Sequence, residues 1–313
     1  MEIKQFNLIS SLQKKELYNF IKCTDLTYNK TYIEMTKIYE SDTFNEGNSV
    51  FVLFHKGKIR GSAALITKEI SINGEAFITD ICVEEENVGN ENSYLKSKLK
   101  IPNTEMFLQL LIETVVKYCN KFSCKSIKAG IRESEIYLIP FINKLEFNHI
   151  YDAVIMRYKE DENMHLKVNK EIELRPLCIL NSHEYMNIYN EAFESSPNGG
   201  TIDEVEVKDY IVQYANNEDM IGICYFEKKP CGIYELSMDG NTGWVDTLGI
   251  TPKVQNSGLG SSLIIKCIEK LYEKKLNEIK LLVITSNNIA VKLYKNKGFE
   301  KESVFSYWFE KLI

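Results

Sequence analysis

The run Trp244-Val245-Asp246-Thr247-Leu248-Gly249-Ile250 gives way, within a few residues, to apolar side chains at helical spacing: Leu263, Ile264, Cys267, Ile268 and Leu271. A change of periodicity across so short a distance fixes a strand, a turn and a helix, with Pro252 ending the strand. The turn itself reads Gln255-Asn256-Ser257-Gly258-Leu259-Gly260. The first N–H groups of any helix lack partners, and its dipole favours negative charge there. Glycines let such a backbone come close to an anion with no Cβ in the way. The segment therefore reads as a phosphate-binding turn, or else as a glycine-rich connection with no ligand.

Three phosphate loops compete for this pattern. A Walker loop needs Gly-Lys-Ser/Thr, and no lysine follows Gly260. A dinucleotide fingerprint needs a third glycine and a βαβ unit with an acidic residue beyond it. The third is Gln/Arg-x-x-Gly-x-Gly/Ala, the pyrophosphate loop of acyl-CoA N-acyltransferases. Downstream, an apolar strand at 279–284 leads into Asn287-Asn288-Ile289-Ala290-Val291-Lys292-Leu293-Tyr294 and then Gly298-Phe299. The two signatures together resemble the GNAT superfamily of acyl-CoA-dependent N-acyltransferases. The resemblance runs from about Glu171 to Ile313.

The 313 residues suffice for two domains. In the second half the pattern predicts a strand at Ile172–Arg175 and helices near 182–193 and 205–214, the latter capped by Thr201. A hairpin at 220–226 and 233–238 follows, then the Trp244–Ile250 strand, the phosphate turn and its helix, strand 279–284, the Tyr294 helix and a last strand near 305–309. The first half repeats that order: strand 3–8, helices near 10–21 and 30–39, hairpin 50–55 and 59–66, strand 77–83, helix 104–122, strand 126–131, helix 136–145 and a strand near 153–158. An internal duplication is expected, with domains at 1–162 and 170–313 meeting in the polar stretch Lys159–Lys170. The fold class is α/β, and the resemblance implies two tandem GNAT-like domains, each a central mixed β-sheet flanked by helices. Where the first half should carry its phosphate turn it reads Glu84-Glu85-Glu86-Asn87-Val88-Gly89-Asn90. Three carboxylates repel a diphosphate, and Leu145-Glu146-Phe147 replaces Gly-Phe. A degenerate first copy beside a competent second is an arrangement similar to that of the mycothiol synthases, and it identifies no substrate.

The resemblance implies that the Trp244–Ile250 and 279–284 strands splay apart around the pantetheine arm of acetyl-CoA, or of another acyl-CoA, as co-substrate. Leu248, Gly249 and Ile250 would then face the pantetheine and polarise the thioester. Gln255, Asn256, Ser257, Gly258, Leu259, Gly260 and Ser261 would hold the diphosphate, and Asn287 would border it. Tyr294 matches the family's general acid by its place in the Leu-Tyr signature. Asp246 is favoured as base because aspartate is depleted in strands and an unpaired buried carboxylate is costly. It shares strand parity with Trp244 and Leu248. Glu235 competes for the role, and water is a third candidate. Glu191, Glu194, Asp203, Glu204 and Glu206 border the expected acceptor cleft or a solvated helix face.

A formal charge of −6 argues against nucleic acid as the partner. The expected acceptor is a small-molecule amine or a peptide. Eight scattered cysteines fit small buried hydrophobes in a reducing compartment, and neither they nor the four histidines have metal-ligand spacing. No apolar run is long enough to cross a bilayer, and Met1-Glu2-Ile3-Lys4-Gln5 does not read as a secretory signal. A cytoplasmic enzyme, a homodimer included, is expected. The reaction would be direct transfer in a ternary complex; the competing reading is a non-catalytic acyl-CoA sensor that binds a partner.

Overall fold

The computed structural model describes residues 1–25, 28–84, 102–160, 170–194, 196 and 199–313. Two compact units divide the chain: Met1–Ile150 with Ser306–Ile313, and Tyr151–Phe305.

In the first unit β1 (Glu2–Gln5) is followed by α1 (Ser11–Thr24) and α2 (Tyr32–Tyr39), then by the hairpin β2 (Val50–His55) and β3 (Lys58–Ile66). Ser10 with Gln13, and Thr31 with Glu34, form reciprocal capping boxes that start the two helices. β4 (Glu75–Val83), α3 (Pro102–Cys119), β5 (Ser126–Arg132) and α4 (Ile139–Lys144) complete the series. β1 to β4 pair antiparallel in order, and β5 lies parallel to β4. The final residues Ser306–Leu312 pair antiparallel with β5. Two cores cover the sheet, one built with α3 around Leu108, Leu111 and Val115, the other with α1 and α2 around Leu17, Ile21 and Met35.

The second unit begins within β6 (Asn148–Tyr158), which the pattern assigned to the first half. It continues through β7 (Glu173–Pro176), α5 (Ser182–Phe193), α6 (Glu204–Gln213), β8 (Ile221–Phe226), β9 (Lys229–Asp239) and β10 (Thr242–Ile250). α7 (Leu259–Glu273), β11 (Glu278–Ile284), α8 (Asn288–Lys295) and β12 (Phe299–Leu312) follow. β7 to β10 are antiparallel in series, β11 is parallel to β10, and Ala153–Arg157 of β6 pair antiparallel with Ile284–Lys280. α7 buries Leu259, Leu263, Ile264, Cys267, Ile268 and Leu271 in the core. Burying a side chain of that size contributes roughly 1.5–3 kcal/mol.

Most expected elements lie within a few residues of their sequence bounds. One cap differs: Asp203, not Thr201, starts α6, accepting from the amides of Val205 and Glu206 while Glu206 reaches back to Asp203. An ionised carboxylate at a helix N-terminus also meets the dipole, which a threonine does not. Glu146 occupies the left-handed region at φ 67°, as Gly298 does at φ 88°, each just before a buried phenylalanine. The missing phosphate turn of the first half, at residues 85–90, and the expected boundary at 161–169 lie outside the described residues. Among the described residues no helix is long and apolar enough to cross a membrane, and no group of three or more His, Cys, Asp or Glu could hold a metal.

Candidate functional site

β10 and β11 pair only over Thr242–Val245 and Glu278–Leu281. Beyond those residues they separate, so the β11-facing edge of the second half of β10 has no strand partner. Close to the point of separation β10 is bulged. Val245 lies opposite Leu236 and Thr247 opposite Glu235, which leaves Asp246 as the extra residue. The bulge resets the alternation. Asp246 hydrogen-bonds Ser237 and Thr247 hydrogen-bonds Glu235, so both face the α5–α6 side of the sheet, while Leu248 pairs with Tyr234 on the other. The expected common parity of Asp246 with Leu248 is therefore corrected, because one inserted residue inverts every later side chain.

Past Ile250 the chain makes a single turn at Pro252–Val254 and enters the glycine segment. Gln255 folds back so that its Nε2 donates to the Ile250 carbonyl at 2.9 Å, and Ser257 Oγ donates to the Val254 carbonyl at 2.5 Å. These two side chains tie the turn to the strand end. Asn256 takes φ 57° and Gly258 φ 87°. Gly258 is the N-cap of α7 and no side chain caps that helix. Its first amides consequently have no hydrogen-bond partner among the described residues, Ser262 N–H being the first to bond, to Gly258 O at 3.1 Å. A Cβ on Gly260 would make only ordinary contacts, 3.5 Å to Leu293 Cδ2 and 3.8 Å to Ile250 Cγ1. The fold leaves that space free, and an anion on the helix N-terminus fits it.

A cavity of about 550 Å³ opens here. Of the residues expected in the site, it brings together Leu248, Gly249, Ile250, Gln255, Asn256, Gly258, Gly260, Ser261, Asn287 and Tyr294. Ser257 and Asp246 do not line it. Nor does Leu259, whose side chain is 1% exposed in the core. None of the lining residues among those described carries a charge, so an anion there is held by neutral donors, the backbone amides together with side chains such as those of Asn256 and Ser261. Sequence reasoning missed Ala192, Phe193 and Ser196 at the end of α5. A Cβ on Gly249 would sit 3.1 Å from Ala192 Cβ and 3.2 Å from Phe193 Cε2, so that strand glycine is the one trace of their approach. Asn287 caps α8 by accepting from Ala290 N–H at 3.1 Å, and so sets the helix that carries Tyr294. Tyr294 stacks edge-on against Phe299 with 5.9 Å between centroids. Burial pushes its phenol above the ordinary tyrosine range, which keeps it a neutral O–H donor.

On the face of β9 and β10 towards α5 and α6, Glu235 accepts from Tyr214 OH at 3.1 Å and from Thr247 Oγ1 at 3.0 Å. Desolvation raises its carboxyl in spite of both bonds, and the neighbouring Asp246 adds to the rise. Asp246 is exposed to solvent yet is raised as well, by partial desolvation, against the lowering effect of Ser237. Of the acidic residues near the expected acceptor cleft, Asp203 and Glu206 cap α6, and Glu191 pairs with Lys253 at 3.1 Å.

Residues 182–299 match the sequence profile of the acetyltransferase (GNAT) family. The chain is 38% identical over 68 residues to a mycothiol acetyltransferase of Renibacterium salmoninarum, a stretch covering 21% of this chain and 20% of that protein. It is 25% identical over 122 residues to the mycothiol acetyltransferase of Clavibacter sepedonicus, covering 39% and 40%. The matched stretches thus span well under two thirds of either relative. Among solved structures, a GCN5-related N-acetyltransferase from Sphaerobacter thermophilus aligns over 99% of this chain and 95% of its own, with TM-score 0.66 and 11% identity. A tandem GNAT protein from the clavulanic acid biosynthesis pathway aligns over 99% and 98%, with TM-score 0.60 and 8% identity. At such identities the likeness speaks for the fold alone, and it extends over both units. Residues 182–299 thus carry the profile of the acetyltransferase (GNAT) family, and the fold along the whole length is like that of solved GNAT structures, a tandem one among them.

Proposed function

We propose that this protein is an acyl-CoA-dependent N-acyltransferase that passes the acetyl group of acetyl-CoA directly to a primary amine, with no acyl-enzyme. The observation that carries the reading is the parting of β10 and β11 after Val245 and Leu281, which leads straight to a helix whose first amides have no partner among the described residues. A slot for an extended arm thus ends on a cradle for its diphosphate. The likeness to proteins named mycothiol acetyltransferases supports acetyl as the group transferred. Acetyl-CoA, as substrate, supplies the thioester carbon and the thiolate leaving group.

The chain's own residues do the rest. The amides from Gly258 to Ser261 hold the diphosphate, and the β11-facing edge of Leu248–Ile250, apart from the Ile250 carbonyl that Gln255 occupies, offers backbone groups to the arm and the thioester oxygen. Asp246 accepts the proton from the attacking nitrogen as the C–N bond forms and the C–S bond breaks; its raised carboxyl makes it a better proton acceptor than an ordinary aspartate. Tyr294 donates to the departing sulfur. Its pKa is above 10 and that of a free thiol is about 8.5, so it acts as a hydrogen-bond donor to the developing thiolate rather than losing its proton outright. Calorimetry with acetyl-CoA and free-CoA release across a panel of amines test the reading together. Tyr294→Phe should lower kcat by about 10²–10⁴ with acetyl-CoA affinity kept. Absence of acetyl-CoA binding by the intact chain would overturn the assignment.

A further inference from the structure

Glu235 and Asp246 lie side by side, and no lysine or arginine pairs with either among the described residues. Four tyrosines surround them. Tyr214 donates to Glu235, and Tyr185, Tyr189 and Tyr210 form an interacting group around it. Tyr185 is fully buried, yet its hydroxyl has no hydrogen-bond partner among the described residues, and Glu235 is the carboxylate that acts on it most. A buried hydroxyl without a partner is costly, and two adjacent carboxylates without a counter-charge repel each other. A group from outside the chain would satisfy both.

The first unit shows what fills the corresponding place there. β4 is bulged as β10 is, with Thr79 as its extra residue, and Asp80 follows it as Thr247 follows Asp246. Tyr39, at the end of α2, donates to Asp80 as Tyr214, just past α6, donates to Glu235. In that unit Arg132, the last residue of β5, supplies the cation, pairing with Asp25 and with Asp80 at 3.3 Å. The last residue of β11 is Ile284, which carries no charge.

From this we propose that the acceptor is an aliphatic amine with a second cationic centre, held by Glu235 and its tyrosines where Arg132 sits in the other unit. The proposal rests on the N-acyltransferase reading above. Gly249, which lines the cavity, and Thr247, which bonds Glu235, are two residues apart on one face of β10, a separation of roughly 6–7 Å. A short α,ω-diamine spans that distance, placing one nitrogen at the cavity while the other stays charged against Glu235. Aromatic walls favour such an ammonium further. An acceptor carrying a carboxylate or phosphate at that end would be repelled.

The test uses the full chain. CoA release is measured with acetyl-CoA and 1,4-diaminobutane, butylamine or 4-aminobutyrate, and 1,4-diaminobutane is titrated calorimetrically into the CoA complex. The diamine should exceed butylamine in kcat/KM by about tenfold to a hundredfold, and 4-aminobutyrate should be poorest. Glu235→Gln should erase that preference through KM and weaken diamine binding. Tyr185→Phe should raise the KM for the diamine with no loss of thermal stability, since its hydroxyl has no partner to lose. Equal losses of kcat with both amines in Glu235→Gln would make Glu235 the base and overturn the proposal, as would diamine binding that ignores the substitution. Turnover of butylamine with no diamine preference sinks this proposal alone. Glu235-dependent diamine binding without turnover sinks the enzymatic reading alone.

Discussion

Gly260→Asp separates what the glycine turn does for the fold from what it does for a ligand. Gly260 is the second residue of α7, and a Cβ there meets only ordinary contacts, so the fold accepts a side chain. An aspartate in the first turn gains about 0.3–1 kcal/mol from the dipole, and removing a glycine from the helix adds a few tenths more. For a unit of this size that raises Tm by about 2–4 °C. The same carboxylate would stand about 4 Å from a bound phosphate, where two like charges repel by about 4 kcal/mol at an effective dielectric near 20. Salt and water at the open mouth reduce this to roughly 2 kcal/mol, a loss in affinity of about thirtyfold. Differential scanning calorimetry and acetyl-CoA titration at fixed ionic strength measure the two effects separately. Opposite signs are expected, with a more stable protein that binds acetyl-CoA more weakly. If stability rises while affinity changes less than threefold, the diphosphate does not rest on these amides. If Tm falls by several degrees, the turn needs its glycine for packing, and the space beside Gly260 is not free for a side chain.

Asn287→Ala removes the cap on α8 and should cost about 1 kcal/mol, while Asn287→Ser keeps most of it; urea unfolding of the two variants decides whether the side chain acts as a cap. In the first unit, desolvation lifts Glu135 to about 7 despite the lowering effect of Arg132. The folded state then binds a proton that the unfolded state releases near pH 4.5. Stability should therefore fall as pH rises from about 4.5 to 7, by up to about 3 kcal/mol. Glu135→Gln should flatten that window in urea titrations, and an unchanged profile would remove Glu135 from it.

Much of this protein was legible along the chain because its signals are local. Strand and helix periods mark the elements, and the Gln255–Gly260 turn followed by Asn287–Tyr294 marks the cavity, since each motif acts through backbone a few residues long. Asn287 and Tyr294 share one short helix, so their joint presence at the cavity follows from the spacing alone. What the sequence could not carry is whatever depends on pairing between distant strands. The bulge at Asp246 exists only against Glu235 on β9, and it turns Leu248 away from the face that the two carboxylates share, where simple alternation would have kept it. Phe193 reaches the cavity because Gly249, more than fifty residues away, leaves it room. The strand at 153–158 joins β11, and the last residues of the chain join β5, because an unpaired strand edge takes whichever partner the folded chain presents, whatever its distance in sequence. Composition and period determined the list of elements and the glycine turn at the start of α7; the tertiary structure alone decided which charges meet, because burial and register are properties of pairs.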